Sequence, residues 1–170
     1  MLKIALLVAA IVVIIIIVVV VAGLLLPVAH VASRQTTVPA DTDRVFAVLT
    51  DIERYPAWRS DVKRVEVLSR AAPVRWMEEG RNGRITFERI ETDEARRIVT
   101  RIADAGLPFG GTWTYELAPS GGGTMLTITE RGEIYNPVFR FMSRFVFGYT
   151  ATIDRVLEDL RRGVASQSRP

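Results

Sequence analysis

Two charged side chains in this sequence stand where strand alternation would carry them inside a fold. In "RRIVTRIAD" Arg101 has the parity of Val99, and in "TMLTITERGEI" Glu130 has the parity of Leu126 and Ile128. If those faces point inward, a buried guanidinium or carboxylate needs a partner, and could orient a polar headgroup or act as an acid or base. The competing reading for both is that twist or a bulge turns them outward, or that they form a purely structural pair. The sole histidine, His30, abuts a long apolar N-terminal segment and reads as an interfacial residue rather than a base. The sequence has no cysteine and no Gly-x-Ser-x-Gly, so thiolate chemistry, disulfides and nucleophilic triads are excluded. Gly121 to Gly123 lack the Lys-Ser/Thr of a phosphate loop and lie between two strand patterns, as a hairpin turn does. No His/Asp/Glu group has metal-ligand spacing, so neither zinc nor iron is expected, and no cofactor is implied.

Composition narrows the partners. The formal charge is +3, with 22 basic against 19 acidic residues. The two signs alternate along the chain instead of forming the basic stripe that nucleic acid requires, so nucleic acid is not an expected partner. Lys3 and Lys63 are the only lysines among the basic residues. That arginine bias, with abundant Ala, Val and Gly, points to a GC-rich bacterial genome.

The elements that would position these groups begin with an anchor. Ile4 to Leu26 is a run of 23 residues with no charge, and as a helix it extends roughly 34 Å, enough to cross a bilayer core of about 30 Å. A cleaved signal peptide is the alternative, but its apolar region runs only ~7–15 residues. A cut near residues 31 to 33 would also remove the start of the first strand. The expectation is therefore an uncleaved single-pass anchor over 1–29 in a bacterial plasma membrane, touching the bilayer through residues 4–26. Lys3 on one side and Arg34 and Arg44 on the other leave the orientation open. One soluble domain follows over 30–165, and 166–170 reads as a frayed tail. Val28 to Ser33 is too short a connection to hold that domain far from the lipid.

Periodicity orders the domain. A strand over about Val31 to Val38 precedes a short helix capped at Asp41 or Thr42, with Val45, Phe46, Val48 and Leu49 at helical spacing. In "DIERYPAWRSDV", Pro56 disfavours helical geometry at Tyr55, so the stretch does not continue that helix. The break is expected to turn Tyr55 and Trp58 inward while the charged residues stay in water. From Val62 the period becomes two. "VKRVEVLSR", "VRWMEEGR", "RITFERIET", "RRIVTRIAD", "GTWTYELAP" and "TMLTITERGEI" read as six antiparallel strands. Asn136-Pro137 then opens one long amphipathic helix of about seven turns, carrying Val138, Met142, Phe145, Tyr149, Ile153, Val156 and Leu160.

An α+β architecture follows, with a seven-stranded antiparallel sheet wrapped around the long C-terminal helix and a gap between the two. Alternate strand positions such as Phe87, Trp113, Tyr115, Leu117, Leu126 and Ile128 would line that gap. The order of elements resembles the helix-grip fold of the START-like superfamily, also called SRPBCC or polyketide cyclase/dehydratase-like proteins. The motifs are "VPADTDRVFAVLTDIERYPAWRSDVKRVEVL", similar to that family's opening, and "GTWTYELAPSGGGTMLTIT", similar to its late hairpin. The resemblance implies a deep apolar cavity for a lipid, polyketide, quinone or similar hydrophobic molecule, and it implies no single reaction. It places the "RYPAW" corner beside that cavity, so Tyr55 and Trp58 are rim candidates, with core packing as the other reading. Phe109, in the apolar loop Leu107 to Phe109, is a candidate gate, with a dip into the nearby membrane or folding back onto the core as the other readings. The stripe Phe139, Phe141, Phe145 and Phe147 is wider than core packing needs, which makes Phe141 and Phe145 further lining candidates. Two functions compete: a membrane-anchored binding module, which needs only the cavity, and a cyclase or dehydratase, which also needs a positioned acid and base.

Overall fold

In the computed structural model of the chain, described here over residues 1–93 and 95–166, seven strands form one antiparallel sheet in the order β1-β7-β6-β5-β4-β3-β2. The strands are β1 (Ala29–Val38), β2 (Val62–Ser69), β3 (Val74–Gly80), β4 (Gly83–Asp93), β5 (Arg97–Ile102), β6 (Phe109–Ser120) and β7 (Gly123–Ile134). The helices are α1 (Leu2–Leu25), α2 (Thr42–Thr50), α3 (Tyr55–Trp58), α4 (Pro137–Met142) and α5 (Ala151–Ser166). The period-two segments from Val62 onward thus form the expected meander, and the first strand closes beside the last. Most of the tail expected over 166–170 lies outside the described residues.

Helix α5 grips the sheet. Its buried face, Ile153, Val156, Leu157, Leu160 and Val164, meets Ala32, Val38, Ile98, Leu117, Leu126 and Ile128 in the main core. Each valine, leucine or isoleucine among them contributes roughly 1.5–3 kcal/mol by leaving water. The β6–β7 hairpin that carries three of those core positions turns at Gly121 and Gly122, as the glycine run predicts. Gly123 closes the turn at φ +132°, and a Cβ there would lie 2.1 Å from the carbonyl oxygen of Val38. A smaller cluster, Ile52, Tyr55, Val62 and Trp76, fills the other end under the 3-10 turn Ile52–Arg54 and α3.

Three sequence expectations are corrected. The C-terminal helix is not continuous: α4 passes into a π-helical segment, Ser143–Phe147, which ends at Gly148 with φ +76°, and α5 starts afresh at Ala151. A left-handed glycine stops a helix whatever the apolar spacing on either side of it. Tyr55 is helical (φ −52°, ψ −42°) although Pro56 follows. Pro56 lies in the first turn of α3, where its missing N–H costs nothing, and the break from α2 falls at Asp51 (φ −80°, ψ 75°). Finally, the charges of "DIERYPAWRSDV" do not all stay in water. The Arg59 and Asp61 side chains are only 13% and 10% exposed.

Helix α1 is 24 residues long, with a mean hydropathy of 3.9 in its most apolar window, and is long and apolar enough to cross a membrane. Its C-terminal end packs on α4: Gly23 is buried, and a Cβ on it would come 1.9 Å from the Pro137 carbonyl oxygen. The guanidinium of the buried Arg140 donates to the carbonyl oxygen of Leu26 at 2.8 Å, satisfying a backbone group just past the end of α1.

The junction between α3 and α5 is equally close. Asp159, almost fully buried on α5, accepts from Ser60 N and Ser60 Oγ, both at 2.7 Å. Burial opposes its ionisation, but the hydrogen bonds from Ser60 and Arg162 prevail and hold its carboxyl below the usual range. One turn on, a Cβ at Gly163 would lie 2.7 Å from Trp58 Cβ. Gly163→Ala should therefore lower stability by about 1–3 kcal/mol through overpacking, although alanine is the better helix former. A thermal melt that stays put or rises would refute that contact.

Candidate functional site

Strand parity sorts the candidate residues onto two faces. Glu130 pairs with Trp113 on β6 and with Ala32 on β1, and shares the inward face of Leu126 and Ile128. Arg101 pairs with Glu88 across β4 and β5 and binds its carboxylate through Nε and Nη2. The Arg101 side chain is 55% exposed. Arg101 therefore forms a structural pair on the outer face, and Glu130 alone of the two looks inward.

Beside Glu130 lies a residue that the sequence reading set aside. His30 falls within β1, opposite Gly132, with the inward parity of Ala32. Its side chain is 10% exposed, its Nε2 stands 3.9 Å from Glu130 Oε1, and its Nδ1 is buried without a hydrogen-bond partner. Tyr149, in the turn between Gly148 and α5, stacks on the imidazole at 4.2 Å between ring centroids. Placing the strand start at Val31 hid this. Counting back from buried Val38 and Ala32 by twos arrives at His30.

Electrostatics favours an uncharged pair. Burial raises the Glu130 carboxyl to about 7, partly offset by a hydrogen bond from the Trp113 side chain. Burial lowers the His30 pKa. An acid and a base whose ionisation is suppressed side by side can accept or donate protons near neutrality.

A second buried polar group was also missed. Arg59 joins Asp61 (Nη2 to Oδ2, 2.9 Å) and Glu78 (Nη1 to Oε2, 3.1 Å), and Trp76 Nε1 donates to Glu78 Oε1 at 2.8 Å. Glu78 shares the inward parity of Trp76 on β3. Burial raises its pKa against the pull of Arg59 and Trp76. Burial also raises the hydroxyl pKa values of Tyr55 and Tyr115, both of which feel the charges of this cluster. Every charge here has a partner, so the group reads as a structural network.

The expected lining residues scatter. Tyr55 is core, with its hydroxyl donating to the carbonyl of Leu49 at 2.7 Å and its ring edge-on to Trp58 and Trp76. Phe87 stacks on Trp76. Ile128 is sealed in the main core, while Trp113 and Tyr115 are partly buried at its border. Phe109 begins β6 opposite Ile134. Phe141 and Phe145 contact one another at 5.0 Å, but Phe145 is 62% exposed and faces away from the core. Trp58 packs against both cores, leaves its indole N–H unpartnered, and borders an outer cleft of about 460 Å³ with Arg44, Ala47, Val48, Asp51 and Arg54. The structure thus brings Glu130 and Trp113 together with His30 and Tyr149. It keeps Arg101 and Phe145 apart from them.

Residues 29–165 match the model of a family described as polyketide cyclase / dehydrase and lipid transport. The chain belongs to that family. Its fold is that of the START/SRPBCC proteins. It superposes on the Zhui aromatase/cyclase from Streptomyces sp. R1128 with a TM-score of 0.69 at 15% identity, over 83% of this chain and 96% of the other. For a START superfamily protein from Mycobacterium smegmatis the TM-score is 0.68 at 18% identity, over 82% and 99%. For the di-domain aromatase/cyclase StfQ of the steffimycin biosynthetic pathway it is 0.67 at 14% identity, over 83% of this chain and 52% of that one. The chain therefore spans about half the length of StfQ. No curated protein matches it in sequence.

The raised acid of this polyketide cyclase/dehydrase family member has a measurable consequence. With a folded pKa near 7 against an ordinary 4.5, Glu130 stabilises the fold fully only below pH 4.5, and that contribution is lost as pH rises through 7. The loss is on the order of 3 kcal/mol by linkage. Glu130→Gln should remove this slope, so the difference in melting temperature between variant and parent should widen from pH 5 to pH 8. A constant difference would show that the carboxyl is not desolvated.

Proposed function

We propose that the protein is a membrane-tethered binding module that takes a hydrophobic small molecule, of lipid, polyketide or quinone-like character, between the sheet and the C-terminal helices. The observation that carries this reading is the union of α1 with the domain. The apolar helix is not a loose tether: Gly23 sits on Pro137, and Arg140 holds the Leu26 carbonyl. With α1 in a bilayer, the start of β1, with His30, lies four residues from the end of the span.

Exposed apolar side chains support the same orientation. Phe139, Phe145, Val146 and Phe147 are 48%, 62%, 59% and 63% exposed on α4 and the π-helical segment that continues it. In water such a patch is a liability; beside an apolar helix of spanning length it suits the lipid interface. Tethering would raise the effective concentration of bilayer-dissolved molecules at the domain. Family membership agrees with this reading, since the family description includes lipid transport.

A cyclase or dehydratase acting on a polyketide-like substrate in the same place is the second reading. It is favoured by one observation, the acid of Glu130 with a pKa near 7 beside an imidazole. Turnover of a polyketide-like substrate that Glu130→Gln abolishes would establish it.

Two measurements address the binding reading. Native mass spectrometry of the detergent-extracted full chain should reveal a co-purified apolar molecule. A bare mass, together with failure to take up any added hydrophobic compound, would sink the reading. In vesicles containing bromine-labelled phospholipids, Phe147→Trp should add an indole emission that is quenched by lipids brominated near the headgroup. Emission indifferent to bromine would place the patch outside the membrane.

A further inference from the structure

The corner formed by His30, Glu130, Trp113 and Tyr149 contains a buried imidazole whose Nδ1 has no hydrogen-bond partner. Gly132 faces His30 across β1 and β7, and a Cβ there would lie 2.4 Å from the imidazole Cε1 and 3.1 Å from Glu130 Oε1. The imidazole thus lies where a side chain at position 132 would stand. Gly111 is paired with Gly132 on β6, so the inward row next to Glu130 carries no side chain on two neighbouring strands. The His30 imidazole, nine-tenths buried and with Nδ1 unpartnered, lies over that row beside Glu130. A gap of 3.9 Å between Nε2 and Oε1 is too long for a hydrogen bond. It is short enough for one oxygen atom, about 2.8 Å from each, to bridge them.

We propose that this corner receives the neutral oxygen head, a hydroxyl or carbonyl, of an otherwise apolar ligand, with Glu130 and His30 as its hydrogen-bonding partners. The inference rests on the hydrophobic-ligand reading and narrows the class of ligand. A protonated carboxyl donates to an oxygen, and Nε2 of a neutral imidazole accepts or donates according to its tautomer, so a single hydroxyl in the gap can bond both Glu130 and Nε2.

Charged heads fit worse. The arginines of the flanking elements are committed or face away: Arg34 binds Asp154 and Thr150, Arg140 binds the Leu26 carbonyl, and Arg131 and Arg144 are exposed. A phosphate or carboxylate would meet a desolvated acid and no counter-charge. A quaternary or protonated amine would look for aromatic faces. Here the face of Tyr149 is covered by His30, and Trp113 turns a hydrogen-bonding edge toward the carboxyl. Burial raises the acid and lowers the base, so both shifts disfavour charge in the corner.

The test uses the full chain in lipid nanodiscs and three probes with one tail: retinol, retinoic acid and retinylamine. Energy transfer from the protein's tryptophans reports the bound retinoid. Retinol should bind about tenfold more tightly than either charged analogue. Glu130→Leu and His30→Phe should each abolish that preference while hydrocarbon affinity persists, and Glu130→Gln, which keeps the shape and a donor, should retain it. Melting curves establish that each variant is folded. Tight binding of all three retinoids without preference, a preference for the acid or amine, or a preference that survives both apolar substitutions would overturn this inference and leave the binding reading standing. Failure of all three to bind would overturn both.

Discussion

The constraint on which the rest of the domain depends is that one short helix must cover a sheet of seven strands. Helix α5 has 16 residues, or about 24 Å of axis, and its apolar face is buried in one core with residues of β1, β5, β6, β7 and α2. It cannot also reach the far strands, so β2 and β3 bury Val62 and Trp76 under the 3-10 turn and α3. Nor does it extend past Ala151 toward the inward row of His30 and Gly132. Each uncovered end contains buried ionisable groups, because a sheet interior that no apolar face covers needs polar contacts of its own. The two ends answer this need differently. At one, Arg59, Asp61 and Glu78 satisfy one another, while at the other, Glu130 and His30 do not.

That difference separates structure from function within a single concave surface. A buried ion cluster whose members are mutually bonded is costly to break and gains little from a ligand. Removing one partner would strand the others, so Arg59 is expected to matter for folding. A carboxyl desolvated beside a neutral imidazole has instead been brought out of water without full compensation. Such a deficit is what a bound oxygen atom could repay, and it explains why the open valences lie where the C-terminal helix is interrupted.

Much of the fold was legible in the sequence because its signals are local. Period-two alternation gave six strands in order, and the glycines at 121 to 123 gave the hairpin between β6 and β7. Asp41 and Asn136 cap α2 and α4 as their types suggest. What was illegible depends on partners distant in the chain. Nothing in "RYPAWRSDV" reveals that Glu78, on another strand, will draw Arg59 and Asp61 out of water. Arg101 and Glu130 looked equivalent by parity, and only the pairing with Glu88 across β4 and β5 distinguishes them. His30 was misjudged because proximity to an apolar run outweighed the strand phase that points it inward. The helix break at Gly148 was passed over because apolar residues continue at three- and four-residue spacing on both sides, and one glycine in such a pattern usually costs only about 1 kcal/mol.

That same break connects the two halves of the molecule. Had the helix run unbroken from Pro137, the phenylalanines at 139, 145 and 147 would have been carried along the axis of α5. The π-helical segment and the left-handed Gly148 instead let α4 lean on α1 while α5 lies in the sheet. Tyr149, the residue directly after the break, is placed over His30 as a consequence. One backbone irregularity therefore sets the exposed aromatic patch, the contact with the apolar N-terminal helix and the cover of the Glu130 corner.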